Sequence, residues 1–273
     1  MELKISVWSC YFRELEPEDR LAEFSRSGFR YLEFSTEDGE ILLKRGKPAP
    51  TGAAYRKRAE DLGIAVLQGH LNLGADILNS ADLEGLKVWL ELFNAVGIKN
   101  CVLHYGKSPA VNMPPALLLE KRGEALKELK KIIAGTDMRI CLENLLRDRD
   151  AKLLLGLIAY AGEDNMGICL DTGHLNLAGG NPAAFVAEAG TLLHALHIAD
   201  NEGYYDQHFM PYFGRGTVPW AEFMGALGGS GYEGLFNFEI PGTTGNVPLE
   251  VLRLKLDYVR GLAAYLESLT RAC

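Results

Sequence analysis

The chain has 273 residues, with 36 acidic and 28 basic side chains, a formal charge of −8, 48% apolar residues and 23% charged residues. That apolar fraction is enough for a full core and excludes a disordered or collagen-like polymer, while the acidic balance argues against holding nucleic acid by bulk electrostatics. Five cysteines (Cys10, Cys101, Cys141, Cys169, Cys273) form no C-x-x-C pair, the N-terminus lacks a signal-peptide pattern, and the longest apolar run, around 153–161, is too short for a bilayer. The expected protein is cytoplasmic, with reduced thiols and no membrane partner.

Short apolar, β-rich runs alternate with stretches of helical period along the whole chain, the pattern of a parallel sheet with crossover helices. In chain order the expected elements are strand Lys4–Ser9, helix Pro17–Ser27, strand Tyr31–Ser35, helix Ala53–Leu62, strand Ala65–His70 and helix Asp82–Val96. Strand Asn100–Tyr105, helix Pro114–Ala134, strand Arg139–Asn144, helix Asp150–Ala161, strand Met166–Asp171 and helix Pro182–Ala189 continue the alternation. Strand Ala195–Ala199, helix Trp220–Leu227, strand Leu235–Ile240 and helix Leu249–Leu269 complete it. Gly28, Gly63 and Gly97 fall where helices stop.

Eight strands in 273 residues is about 34 residues per unit, near the roughly 30 of one strand plus its crossover helix. No linker or composition break divides the chain, so residues 1–273 are expected to form a single domain. A doubly wound dinucleotide fold would place G-x-G-x-x-G after the first strand, where this chain reads Trp8-Ser9-Cys10-Tyr11-Phe12. The expected fold class is therefore α/β, a single (β/α)8 TIM barrel.

Barrel enzymes build their sites at the C-terminal ends of the strands. Here six successive strands end in metal-competent side chains: His70, His104, Glu143, Asp171, His197 and Glu239. Two positions earlier, on the same strand face, stand Gln68, Val102, Cys141, Cys169, Ala195 and Asn237, suited to a packed layer beneath a site. His174 follows Asp171 by three residues, at the start of a loop, and a later loop supplies Asp206 and His208 and then Gly214-Arg215-Gly216. Five of the six histidines belong to this set; His194, on the opposite strand face from His197, is read as structural. Mixed imidazole and carboxylate donors suit Zn²⁺, Mn²⁺ or Co²⁺ better than Ca²⁺ or Mg²⁺.

Through Cys141-Leu142-Glu143-Asn144, Leu170-Asp171-Thr172-Gly173-His174, Leu196-His197-Ile198-Ala199-Asp200-Asn201, and Asp206-Gln207-His208 with Gly214-Arg215-Gly216-Thr217-Val218-Pro219-Trp220, the chain resembles the xylose isomerase-like TIM-barrel superfamily. That superfamily includes sugar and sugar-phosphate isomerases and epimerases and the endonuclease IV-type AP endonucleases. The resemblance implies one divalent ion on Glu143, Asp171, His197 and Glu239 in the epimerase branch. In the endonuclease branch it implies three zinc ions on these four together with His70, His104, His174, Asp206 and His208. Departures favour sugar chemistry: Leu145-Leu146-Arg147-Asp148-Arg149 follows Asn144, and Pro219-Trp220 follows the glycine-bracketed arginine.

The expected function is a divalent-metal-dependent sugar or sugar-phosphate isomerase or epimerase working by proton transfer through a metal-stabilised enediolate, with Glu143 and Glu239 exchanging the proton. The alternatives are an endonuclease IV-like phosphodiesterase, a sugar dehydratase or lyase on the same scaffold, and a non-catalytic metal-binding barrel. His174 and Arg215 are the candidates for holding substrate oxygens or a phosphate, and Trp8 and Trp220 for an apolar wall under a sugar ring. Glu33 ends the second strand as a substrate contact or an anchor, outside the ligand set. The expected partner is a small-molecule sugar rather than nucleic acid, and the superfamily often forms homo-oligomers.

Overall fold

The computed structural model describes residues 2–106, 113–242 and 246–271. Among these residues eight strands run β1 (Lys4–Val7), β2 (Tyr31–Phe34), β3 (Ala65–His70), β4 (Asn100–Leu103), β5 (Arg139–Glu143), β6 (Met166–Asp171), β7 (Leu193–His197) and β8 (Leu235–Phe238). Strands β2 to β7 pair in sequence order as one parallel sheet, and β1 pairs with β8. Single parallel bridges, Trp8 with Glu33 and Ile198 with Phe238, join the two pieces. The amide of Ile198 donates to Asn237 O at 2.7 Å across the β7–β8 junction, and with the Trp8–Glu33 bridge between β1 and β2 the sheet closes into the expected xylose isomerase-like barrel.

The helices are α1 (Pro17–Arg26), α2 (Thr36–Arg45), α3 (Pro48–Asp61), α4 (Ser80–Val96), α5 (Pro115–Ile133), α6 (Lys152–Ala161), α7 (Thr172–Leu177), α8 (Pro182–Ala189), α9 (Trp220–Gly229) and α10 (Leu249–Leu269). Prolines open α1, α3, α5 and α8, where a missing N–H costs nothing. Gly28, Gly63 and Gly97 all take positive φ. Two helices, α2 and α7, are additions to the sequence-based expectation. No helix among the described residues is long and apolar enough to cross a membrane.

Leucine, isoleucine and phenylalanine side chains fill the layer between strands and helices, while Val102, Cys141, Cys169 and Ala195 form a small cluster inside the barrel. Burial pushes the Cys141 thiol up to about 12 and that of Cys169 well above the ordinary range, which suits packing rather than reactivity. Cys273 lies outside the described residues. One placement differs from expectation. The register slips between Ile168 and Cys169, so Leu193 pairs with Ile168 and Ala195 with Cys169, leaving His194 as the extra residue of a bulge. Its ring therefore packs beside Gly167 and Arg139 at the N-terminal floor of the barrel, where burial lowers it to about 4, with Arg139 adding to the effect.

Candidate metal centre

The ends of the strands are tied together by the polar residues of the sequence motifs. Asn144 donates to Asp171 O at 3.0 Å and accepts from Asp171 N at 2.8 Å, clamping β5 to β6. Thr172 does the same between β6 and β7, donating to Ala199 O at 2.7 Å and accepting from Ala199 N at 3.0 Å. On this frame Asp171 caps α7: its Oδ1 accepts from His174 N at 2.6 Å. His174 thus sits in the first turn of a helix rather than in a loop, with its ring turned back over the barrel mouth.

Glu143, Asp171, His197 and Glu239 converge so that one donor atom from each lies within 4.8 Å of every other. His197 Nδ1 is 3.2 Å from Glu143 Oε1, 3.3 Å from Glu239 Oε2 and 3.9 Å from Asp171 Oδ2. Its other nitrogen, Nε2, meets Glu33 Oε1 at 2.8 Å. An ionised carboxylate only accepts, so Nε2 carries the hydrogen, and Nδ1 meets three more carboxylates either as a protonated imidazolium or as the ligand of a cation. Asp171 Oδ2 and Glu239 Oε2 are buried with no hydrogen-bond donor. A divalent cation fits this set: it would satisfy both orphaned oxygens and the Nδ1 lone pair at once.

The same logic repeats around the mouth. His70 Nδ1 donates to Leu71 O at 2.7 Å, aiming Nε2 at Glu143 Oε2, 3.0 Å away. His174 Nδ1 donates to Asn144 O at 3.0 Å, aiming Nε2 at Asp206 Oδ2, 3.3 Å away. His208 Nδ1 donates to Glu239 O at 2.8 Å, and its Nε2 also faces Asp206 Oδ2 at 3.3 Å. His208 adopts φ 47°, a left-handed backbone uncommon for a residue other than glycine, though histidine is among the side chains that tolerate it. His104 Nε2 reaches Glu143 Oε2 at 3.1 Å. All nine side chains singled out in the sequence therefore meet in one connected cluster, with Glu143 at its centre.

Charge coupling follows the geometry. Burial raises Glu143, but His197, His104 and His174 outweigh it and hold the carboxyl well below the usual range. Burial pushes Glu239 up to about 7, opposed by His197 and His208 and reinforced by Asp171 and Glu143. Burial lowers His174 and His208, yet Asp171, Asp206 and Glu143 lift the first to about 12, and Glu239, Asp206 and Asp171 lift the second to about 10. Without a cation these imidazoles hold protons in the place where one would sit.

The other sequence candidates stand apart from the cluster. Trp220 is 2% exposed, and its indole Nε1 donates to Asp200 Oδ2 at 2.8 Å, so it is a core anchor and not the wall under a sugar ring. Trp8, one residue past β1, is half-buried and forms a backbone bridge to Glu33. The Arg215 side chain is 89% exposed, with Nε 3.6 Å from Glu202 Oε1. Asp200 accepts from Asn201 N, Val218 N and Trp220 Nε1 and holds the long loop that carries Asp206 and His208. Gly216 is required beside it, since a Cβ there would lie 2.2 Å from Asp200 Oδ2. Asp200→Ala leaves three buried donors unpaired and is expected to destabilise the fold by about 3 kcal/mol or more, measured by urea unfolding of the metal-free protein.

Glu33 is the residue whose role sequence reading left open. Its carboxylate, fully buried, accepts from His197 Nε2, from Gln68 Nε2 at 3.0 Å and from Asn237 Nδ2. Ser6 Oγ in turn donates to Asn237 Oδ1 at 2.9 Å. The layer beneath the cluster is thus a polar network that aims His197. Glu33→Gln keeps the shape and removes the acceptor charge. Divalent-metal affinity is expected to fall about 10–100-fold, read by isothermal titration.

Residues 21–264 match the family described as the xylose isomerase-like TIM barrel, and the chain belongs to it. An uncharacterised protein, y4fM, from Sinorhizobium fredii is 27% identical over 172 residues, covering 61% of this chain and 55% of that protein. The D-psicose 3-epimerase of Ruminiclostridium cellulolyticum is 28% identical over 120 residues, covering 42% of this chain and 39% of the epimerase. The chain spans about half the length, or less, of these curated relatives. Among solved structures, D-psicose 3-epimerase with D-tagatose from Clostridium cellulolyticum H10 superposes with a TM-score of 0.79 at 17% identity, over 97% of this chain and 99% of that one. At that identity the likeness is one of fold.

Proposed function

We propose that this barrel is a divalent-metal-dependent sugar isomerase or epimerase, with Glu143, Asp171, His197 and Glu239 holding the ion. The observation that carries the reading is the set of inward-facing acceptors: three carboxylates and one imidazole lone pair converge, with two buried oxygens lacking any donor. Resemblance to epimerases of the same fold supports the substrate class, a small sugar. The ion, Zn²⁺, Mn²⁺ or Co²⁺ by the chemistry of the donor set, would supply the Lewis acidity that stabilises negative charge on a substrate oxygen.

The protein's own groups move the proton. Glu143 on β5 and Glu239, one residue past β8, are the two groups assigned to this step: one removes a proton from the carbon beside the carbonyl and the other delivers one to the opposite face. His174 and Trp8 are assigned as substrate contacts, and Arg215 reaches the substrate only if its exposed loop folds inward. Incubating the Mn²⁺- or Co²⁺-loaded protein with a panel of ketohexoses and ketopentoses tests the reading. A new epimer or aldose is expected from at least one sugar, and no conversion across the panel contradicts it.

A second reading, a metal phosphodiesterase, is favoured by one observation: His174, Asp206 and His208 form a further donor group beside the quartet. Cleavage of an abasic duplex by the zinc-loaded protein, without sugar conversion, would establish that reading instead.

A further inference from the structure

At the end of the barrel opposite the metal quartet, the N-terminal ends of the strands enclose a cavity of about 410 Å³. Lys4, Asn100, Arg139, Leu193 and Leu235, each the first residue of its strand, line it together with His194. Its walls carry three cationic side chains, Lys4, Lys99 and Arg139, against one carboxylate, Glu233, in a chain whose formal charge is −8. Lys99 is paired with Asp137, and the Lys4 ammonium donates to a neutral acceptor, Glu233 O, at 2.8 Å. Arg139 Nη1 donates to Asn100 Oδ1 at 3.3 Å, and among the described residues no carboxylate pairs with its half-buried guanidinium.

The local structure sets Arg139 and His194 side by side. The bulge in β7 aims the His194 ring at this floor. Gly167 leaves room for both side chains, since a Cβ there would lie 2.8 Å from His194 Cδ2 and 2.9 Å from Arg139 Cδ. Asn100 Nδ2 donates to His194 O at 2.7 Å while its Oδ1 accepts from Arg139, so one amide fixes both neighbours. Burial and the adjacent guanidinium keep the His194 ring uncharged near neutral pH, so it offers an N–H donor without repelling Arg139.

A partly buried cation without a counter-charge is costly, and a guanidinium fork beside an imidazole donor matches the oxygens of a phosphate. We propose that the floor cavity binds a phosphoryl group, held by Arg139 and His194 with Lys4 at the rim. The group comes either as inorganic phosphate or as the phosphate ester of a small metabolite, whose remainder would lie against Leu193, Leu235 and Tyr232. The site is separate from the metal centre and does not depend on the isomerase or epimerase reading. A purely structural use of Arg139, as the cation attracted by the C-terminal carbonyls of α8 and α9, predicts no ligand.

The His194 Cε1–Hε1 resonance of the Zn²⁺-loaded protein, assigned through its loss in His194→Gln, reports on this cavity and not on the metal. It is followed by NMR at pH 7 during titration with inorganic phosphate, with glucose 6-phosphate and with glucose, at matched ionic strength. A saturable shift with a Kd of about 1 mM or tighter is expected from at least one phosphate and none from glucose. Tighter binding of glucose 6-phosphate identifies an ester as the ligand, and equal or tighter binding of inorganic phosphate identifies the free ion. Arg139→Gln is expected to weaken binding at least about tenfold. Lys4→Gln, at an exposed position that the fold does not need, is expected to weaken it about two- to fivefold and keeps the test decisive if Arg139→Gln does not fold. No saturable shift with either phosphate, an equal shift with glucose, or unchanged affinity in the variants overturns the site.

Discussion

Glu143→Gln and Glu239→Gln are each expected to slow epimer formation by about 10²–10⁴-fold at saturating metal, the usual weight of one positioned acid or base. The carboxamide keeps the volume of the side chain and one acceptor oxygen while removing the charge and the proton site. Two-base chemistry makes a sharper prediction than the loss alone. Each single variant retains the group on one face of the substrate, so it still washes deuterium into the epimer whose proton points that way, although it no longer interconverts the two. The double variant loses both exchanges. Its rate is not the product of the single losses, because the two groups act as a unit. Wild-type epimerisation in both single variants would remove these glutamates from the proton-transfer role.

Removal of the metal is the second large effect. The quartet holds three carboxylates around His197, and Asp171 Oδ2 and Glu239 Oε2 have no donor in its absence. A ligand present at 100 times its dissociation constant stabilises the native state by about 2.7 kcal/mol. For a chain of this size that corresponds to about 5–10 °C in Tm between loaded and chelated protein. The pH dependence has a definite sign. Glu239 is raised to about 7, so in the metal-free protein its contribution to stability is fully present below the ordinary carboxylate range and is lost as pH rises through about 7. Metal uptake displaces protons from Glu239 and from His197, which burial lowers but the surrounding anionic groups hold well above the ordinary imidazole range, so affinity increases with pH. The gap in Tm between loaded and chelated protein should therefore widen from pH 5 to pH 8 in differential scanning calorimetry. A gap that is constant or narrows would show that these groups do not bind the ion.

Strand-end positions were legible in the sequence because side-chain parity along a strand is local. His70, Glu143, Asp171 and His197 each close a strand, and a period of two places them above Gln68, Cys141, Cys169 and Ala195. The partners that set each imidazole's tautomer were not legible. Leu71 O and Asn144 O are backbone atoms, and Glu33 reaches His197 across the barrel from β2, a contact created by closure and not by spacing. His194 was placed on the wrong face because a bulge shifts parity by one residue and depends on the neighbouring strand.

Helix α2 was hidden by Gly39, which interrupts the helical signal and packs against Trp89. Helix α7 is only six residues long and contains Gly173, yet the Asp171 cap and the packing of β6 and β7 hold it. Trp220 looked like a wall residue from its place after the glycine-bracketed arginine. Its burial follows from the partner Asp200, which lies twenty residues earlier and is brought beside it by the loop.

The central claim, that the four-residue cluster holds a divalent ion used for carbon–hydrogen chemistry on a sugar, is tested most directly by NMR in deuterated buffer. Chelated protein, the same protein reloaded with one equivalent of Mn²⁺ or Co²⁺, and the reloaded Asp171→Asn variant are each incubated with the converted ketose, and the quenched sugar is examined after the metal is removed. Deuterium at the carbon beside the carbonyl is expected only with the reloaded wild-type protein. Equal incorporation in the chelated sample, or undiminished incorporation in the Asp171→Asn variant, would contradict the account.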